Sequence, residues 1–308
     1  NREVILAQIK VQIFLSTYNG ERYLEAQIDS LLNQQDVEVG ILVRDDGSTD
    51  RTCEILKQYE EQGKLQFYKG CNLGYAESFL DLIKQDVYAD YYAFCDQDDI
   101  WLSTKLICAV QKINDESHDL EKPLLYASAL QRVDKNLNRL SIQNFRNLKL
   151  SLGAEFTRHR LAGCSFVFNN TLRNLIKKTN HIPTSHDKLA TILCLACGGQ
   201  IIYDSNTYIL FRRHGDNTSS DSKSKINKIE KDLKKYLYHK NQDDELAYFL
   251  LSTYSEDMLF ESIVFLSLIS SYKCSLWKTI KLAFSSYIDC GFWYYNYFVR
   301  VMILLHYY

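Results

Sequence analysis

The stretch Tyr91-Tyr92-Ala93-Phe94-Cys95-Asp96-Gln97-Asp98-Asp99-Ile100-Trp101 constrains the fold more than any other part of the chain. Its apolar, aromatic first half predicts a buried strand. It then runs into three carboxylates within four positions. Carboxylates crowded at the end of a buried strand repel one another and are costly unless a cation or ligand compensates them. Hard oxygen ligands suit Mg²⁺ or Mn²⁺, and those ions suit a diphosphate. The alternative is a solvated acidic loop capping a helix that is expected to begin near Ser103.

Two further strand ends follow the same plan. Val11–Leu15 predicts a strand and leads into Ser16-Thr17-Tyr18-Asn19-Gly20-Glu21-Arg22. Val37–Val43 predicts another, followed by Arg44-Asp45-Asp46-Gly47-Ser48-Thr49-Asp50 and a helical pattern over Arg51–Gly63. Strands alternating with helices predict an α/β fold with a mostly parallel central sheet. In such open sheets ligands bind at the carboxyl ends of the strands. Thr17, Tyr18 and Glu21, then Asp45 and Asp46, then Asp96, Asp98 and Asp99 are therefore expected along one edge.

The succession 16–23, 44–50, Asn72-Leu73-Gly74 and 96–101 resembles the bacterial family 2 glycosyltransferases of the GT-A (nucleotide-diphospho-sugar transferase) fold, in particular their rhamnosyltransferase-like branch. Gly163-Cys164, His186-Asp187 and Arg212-Arg213-His214-Gly215-Asp216-Asn217 extend the resemblance, which covers roughly residues 10 to 220. It implies that Asp45 and Asp46 contact base and ribose, with Thr17, Tyr18 and Glu21 lining the same pocket. It implies an Asp-x-Asp pair, with Asp96 at ribose or metal and Asp98 on a Mn²⁺ or Mg²⁺ ion. It makes Asp187 the catalytic base. The chain departs from the family at Glu77-Ser78-Phe79-Leu80, where many members carry Arg-Asn. The diphosphate-contacting arginine is then unassigned, and Arg212 or Arg213 is the expected substitute.

The chemistry can also be argued from the residues. Sugar transfer needs the leaving diphosphate neutralised, which a metal on Asp96 and Asp98 would do. It also needs the acceptor hydroxyl deprotonated as it attacks, which a single carboxylate would do. One base acting from the opposite face implies inversion at the anomeric carbon. Asp187 is expected to open a helix whose dipole favours its charged form; the plainer role is that Ser185 or Asp187 merely caps that helix. His214, after the strand-like Tyr208–Phe211, is expected as a third metal ligand or a diphosphate donor alongside Arg212 and Arg213.

A net charge of −2 offers no general attraction to nucleic acid, so none is expected as partner. Cys95, Cys108, Cys164 and Cys194 fall in apolar runs, as reduced cytosolic thiols do. The pair Cys194 and Cys197 has C-x-x-C spacing but no second pair, and is not expected to bind zinc. Opening on Asn1, the chain is expected to be a processed form or part of a longer polypeptide.

Two domains are expected: a catalytic one over 1–220 and an all-helical one over 221–308. Gly215–Ser222 has linker composition. Ile226, Ile229, Leu233 and Leu237 recur at helical spacing, and Leu246–Tyr272 and Leu276–Tyr308 predict longer helices, uninterrupted because no proline follows Pro183. The helical part is expected to pack on the catalytic domain or on itself in an oligomer, to hold the acceptor, or to lie in a membrane interface with Trp293, Tyr294, Tyr295 and Tyr297 at headgroup depth.

The expected partners are a nucleotide-diphosphate sugar, dTDP-rhamnose or a UDP-hexose, and a glycan, glycolipid or glycoprotein acceptor. The expected place is the cytoplasm, at the inner face of the cell membrane where the acceptor is lipid-linked. Two other functions compete. A sugar nucleotidyltransferase would need a Gly-rich loop with Arg and Lys, whereas Ser16–Arg22 has only Gly20. A non-catalytic GT-A-like binding or assembly module would not need Asp96, Asp98 and Asp187 together.

Overall fold

The computed structural model describes residues 8–145, 148–213 and 243–308. Its first part is built on one mixed sheet. The strands are β1 (Lys10–Thr17), β2 (Glu38–Asp45), β3 (Gln66–Lys69), β4 (Tyr91–Cys95), β5 (Ile100–Trp101), β6 (Leu124–Val133), β7 (Arg139–Gln143), β8 (Val167–Asn169) and β9 (Gln200–Arg212). They are ordered β3-β2-β1-β4-β8-β6-β9-β5, with β7 also on β6. The β3-β2-β1-β4 half is parallel throughout. Register sets Thr17 beside Asp45 and Leu15 beside Cys95, so the three polar loops leave the sheet on one edge.

Amphipathic helices α1 (Leu24–Leu32), α2 (Thr52–Glu61), α3 (Tyr75–Lys84) and α4 (Lys105–Glu116) cover this half. α1 buries Leu24, Ile28 and Leu31, and α4 buries Leu106, Ala109, Val110 and Ile113. That spacing is one helical face. Each such Leu or Ile contributes roughly 1.5–3 kcal/mol on burial. β1 and β4 are buried on both faces, which is why their sequences are apolar runs instead of alternating ones. Two further helices, α6 (Asn170–Lys177) and α7 (His186–Ala196), follow α5 (Leu152–Arg158).

The described chain separates into two compact units. One holds residues up to Asn144 with Leu161–Cys194 and Gly199–His214; the other holds Phe145–Arg160, Leu195–Gly198 and Gly215–Tyr308. The second unit thus includes α5, a segment that a simple division at residue 220 leaves with the sheet. Its other helices are α8 (Asp243–Tyr254), α9 (Phe260–Ser271), α10 (Leu276–Ala283) and α11 (Trp293–Leu304). The stretch 221–242, with its expected helix, lies outside the described residues.

The two long uninterrupted helices are corrected to four short ones. Chain breaks occur at 255–259 and 284–292 without any proline. In the second break, Gly291 takes φ +86°. Asp289 accepts from the Gly291 N–H (2.9 Å) and from Asn296 Nδ2 (2.8 Å), and Asn296 Oδ1 accepts from the Cys290 N–H (2.9 Å). These side chains take the backbone groups a helix would need. Tyr295 is also corrected: it is buried beneath the Arg158 guanidinium, 4.6 Å from its ring, and not at the surface.

Candidate active site

The loops after β1 and β2 are joined by carboxylates turned inward. Asp45, fully buried, accepts from Thr17 Oγ1 (3.2 Å), the Gly47 and Ser48 N–H groups (3.2 and 2.9 Å), Ser48 Oγ (2.5 Å) and Cys53 Sγ (3.3 Å). Asp46 accepts from the Leu73 and Gly74 N–H groups (2.8 and 2.9 Å) and pairs with Arg44. Arg44 is itself buried, and also reaches Asp81 (2.9 Å), Ser78 Oγ (3.3 Å) and the Cys71 carbonyl (3.0 Å). Asp45 and Asp46 therefore tie together the loops that form the pocket. Arg44, which the sequence left unremarked, is the cation that makes this tolerable in a buried setting.

The first loop is likewise braced. Glu21 Oε2 accepts from the Arg51 N–H (2.9 Å) while Asp50 accepts from the Glu21 N–H (3.1 Å), a reciprocal pair at the start of α2. Tyr18 donates its N–H to Gln97 Oε1 (2.9 Å), and Gln97 Nε2 donates to the Tyr18 carbonyl (3.0 Å). A Cβ on Gly20 would meet the Gln97 amide, so glycine leaves that amide in place against the Tyr18 backbone. The Tyr18 ring is half-exposed and the Thr17 hydroxyl is buried. Of the three residues expected to line the pocket, Tyr18 and Glu21 are exposed and Thr17 is buried.

The acidic end of β4 is electrostatically crowded. Asp96 is pushed up to about 7, by burial first and then by the charges of Asp98 and Asp187. Asp99 is fully buried and raised well above the carboxylate range by burial and by Asp98 and Asp96. Its Oδ1 accepts from the Arg212 N–H (2.9 Å), while Oδ2 lacks a hydrogen bond of ordinary geometry. Asp96, Asp99 and Cys164 bring ligand atoms within 4.8 Å of one another. Burial and the charges of Asp99 and Asp96 push the Cys164 thiol well up. Hard cations such as Mg²⁺ or Mn²⁺ take oxygen ligands, which in this cluster are the carboxylates. Below it, Lys105 is fully buried with Nζ 3.5 Å from the Trp101 ring centre, and burial lowers it to about 7.

Arg212 has a different place from the one expected. It is buried over the Tyr23 ring at 4.4 Å, with Nε donating to the Asp98 carbonyl (2.8 Å) and Nη1 to the Lys135 carbonyl (2.9 Å). So engaged, it fixes the acidic loop's backbone. Arg213 donates its N–H to the Val133 carbonyl (2.8 Å) and carries its guanidinium 5.6 Å from the Phe211 ring centre. His214 lies outside the described residues.

Asp187 stands in the first turn of α7, where its Oδ1 accepts from the Lys188 N–H (2.8 Å). Its charge reaches Asp96 and the half-exposed Tyr75. Its neighbour His186 fixes the turn by stacking on Phe79 (4.1 Å) and meeting Phe94 edge-on (4.8 Å). Gly163 fits beneath, since a Cβ there would strike the His186 ring. The structure thus brings Asp96 and Asp98 of one loop and Asp187 of α7 into one electrostatic group, from two separate stretches of chain. Tyr75, Gln97 and Asp99 join them. The first two carried no independent signal in the sequence, whereas Asp99 stood in plain view within the acidic run.

The acidic cluster thus lies at the carboxyl edge of a sheet whose first half is parallel. The model of "Glycosyl transferase family 2" matches residues 12–178, and the chain belongs to that family. It is 36% identical over 107 residues to the "dTDP-rhamnosyl transferase RfbG" of Shigella flexneri, covering 31% of this chain and 35% of that protein. It is 31% identical over 100 residues to an Escherichia coli protein, "UDP-Glc:alpha-D-GlcNAc-diphosphoundecaprenol beta-1,3-glucosyltransferase WfaP" (31% of this chain, 38% of that one). These matches span little more than a third of each relative. The fold of S. aureus TarS residues 1–349, solved in complex with UDP-GlcNAc, superposes with a TM-score of 0.55 at 18% identity, covering 97% of this chain and 89% of that one.

Proposed function

We propose that the chain is an inverting, metal-dependent glycosyltransferase that moves a hexose or deoxyhexose from a dTDP- or UDP-linked donor to a glycan acceptor. The observation that carries this reading is the convergence of Asp96, Asp98 and Asp187, where burial first and then the two neighbouring charges raise Asp96 to about 7. Three carboxylates so placed favour a divalent ion, which can in turn hold an anionic ligand.

Asp96 and Asp98 would hold Mn²⁺ or Mg²⁺, which supplies Lewis-acid neutralisation of the departing diphosphate. Asp99, tied to the Arg212 N–H beneath, keeps the loop in register. Tyr18 would face the base, in a pocket whose shape Asp45 and Asp46 maintain. Arg213 would meet the diphosphate. Asp187 takes the proton of the acceptor hydroxyl as that oxygen attacks the anomeric carbon. The C1–O bond to the diphosphate breaks on the opposite face, giving inversion.

The names of similar proteins support a dTDP-rhamnose or UDP-hexose donor, and the proposed acceptor is a glycan in bacterial surface polysaccharide or glycoprotein assembly. The reaction would run on the cytoplasmic side, where nucleotide sugars are made. The helical unit would serve partners, by self-association or by holding the acceptor.

Asp187→Asn is the deciding variant. Nucleotide-sugar affinity with Mn²⁺ should be unchanged, while transfer falls about 10²–10⁴-fold, as for loss of a general base. Full transfer activity in that variant would remove Asp187 from the reaction.

A further inference from the structure

The helical unit carries large apolar side chains on its outside. Phe260, Trp277, Phe284 and Trp293 are 81, 72, 71 and 82% exposed. Exposed apolar surface on this scale marks an interaction site, and the chemistry of α10 says which kind. At about 100° per residue, Leu276, Trp277, Ile280 and Phe284 form one exposed stripe, while Thr279, Leu282 and Ala283 face the core. Beyond the stripe, on the side away from the core, come Lys278 and Lys281, both exposed.

Charge is distributed with the same bias. Between Glu261 and Asp289 there is no acidic residue, while Lys273, Lys278 and Lys281 fall there, in a chain whose net charge is −2. Asp289 is itself paired with Lys149. Lys273 pairs with Asp244 at 2.7 Å, which leaves the lysines of α10 as the outward charges of this face. Trp, Phe and Leu on one side of a helix with Lys beside them is the composition of an in-plane interfacial helix. Lysine is depleted at protein–protein interfaces, so the same face is poorly suited to a second copy. No helix among the described residues is long and apolar enough to cross a membrane.

We propose that α10 is a docking element for an anionic phospholipid surface, with Trp277 and Phe284 entering the headgroup–acyl boundary and Lys278 and Lys281 meeting lipid phosphates. It stands independently of the transfer reaction.

The test is flotation of the whole chain with vesicles of phosphatidylcholine alone or mixed with phosphatidylglycerol. Binding to the mixed vesicles, weakened by high salt and accompanied by a blue shift of tryptophan emission, is expected. The double change Trp277→Ser with Phe284→Ser should lower the partition coefficient about 10–100-fold, the loss of one to two buried large side chains. Lys278→Glu with Lys281→Glu should abolish the preference for phosphatidylglycerol. All four positions are exposed, so circular dichroism of the variants should match the parent. Failure to float with the mixed vesicles overturns the proposal. So does unchanged binding in the serine variant, or a concentration-dependent dimer in light scattering that this variant dissolves.

Discussion

The two units handle the wrong kinds of residue in opposite ways. The sheet unit buries charge: Arg44, Asp45, Asp46, Asp99, Lys105 and Arg212 are all nearly inaccessible. The helical unit exposes hydrocarbon: Phe260, Trp277, Phe284 and Trp293 face outward. Each arrangement costs stability where it stands. In the sheet unit hydrogen bonds to Arg44, Asp45, Asp46 and Arg212 offset much of that cost and shape the loops, while Lys105 rests over the Trp101 ring. In the helical unit the proposed lipid surface would offset it. Buried charge thus locates a small ligand, and exposed hydrocarbon locates a large one.

Substituting Arg44 by Met should break this contrast most strongly. Asp46 would be left buried without its cation, which typically costs about 3–5 kcal/mol. A fall in the melting temperature together with weakened nucleotide binding is expected; an unchanged melt would mean that Asp46 is held well enough by the Leu73 and Gly74 N–H groups alone. Gly153→Ala is the counterpart in the helical unit. A Cβ there would strike the backbone of Tyr287, and overpacking of this kind costs about 1–3 kcal/mol. Thermal unfolding should register the loss while nucleotide affinity stays unchanged, and a loss of affinity would show that the pocket depends on this packing.

The pH response of Asp96 sharpens the comparison at smaller amplitude. Its folded pKa of about 7 lies above the ordinary 3.8. A carboxyl raised in this way contributes stability that is fully present below pH 3.8 and lost as pH rises through 7. Mn²⁺ needs the charged form, so the rise in melting temperature on adding Mn²⁺ should be larger at pH 8 than at pH 5.5. Asp96→Asn should flatten that difference. The smallest effect belongs to Glu21→Ala, which removes an acceptor at the start of α2 and should cost about 0.5–2 kcal/mol. Donor affinity near the parent value would fit Glu21 as a loop brace; a tenfold loss would restore it as a nucleotide contact.

What was legible in the sequence follows from range. β1, β2 and β4 are apolar runs ended by polar residues, and both signals are local. The two-residue β5 and three-residue β8 are too short to carry a period, and they form because β9, β4 and β6 offer them partners. Asp96, Asp98 and Asp187 are identifiable because the chemistry needs carboxylates. The inward turn of Asp45 and Asp46 is not, since it depends on donors from Thr17, Cys53 and Leu73 that only the folded chain assembles. The breaks in the C-terminal helices escaped because absence of proline permits a helix without enforcing one. At Asp289 and Asn296 side chains captured the backbone instead.

Gln97 grips Tyr18 by its main-chain N–H and carbonyl alone. Position 18 can therefore accept other side chains without moving the acidic loop. Over many generations, a descendant could trade one nucleobase for another by changes at that position while its reaction centre stayed in register. Innovation at the mouth and constancy at the core are separated here by a single amide.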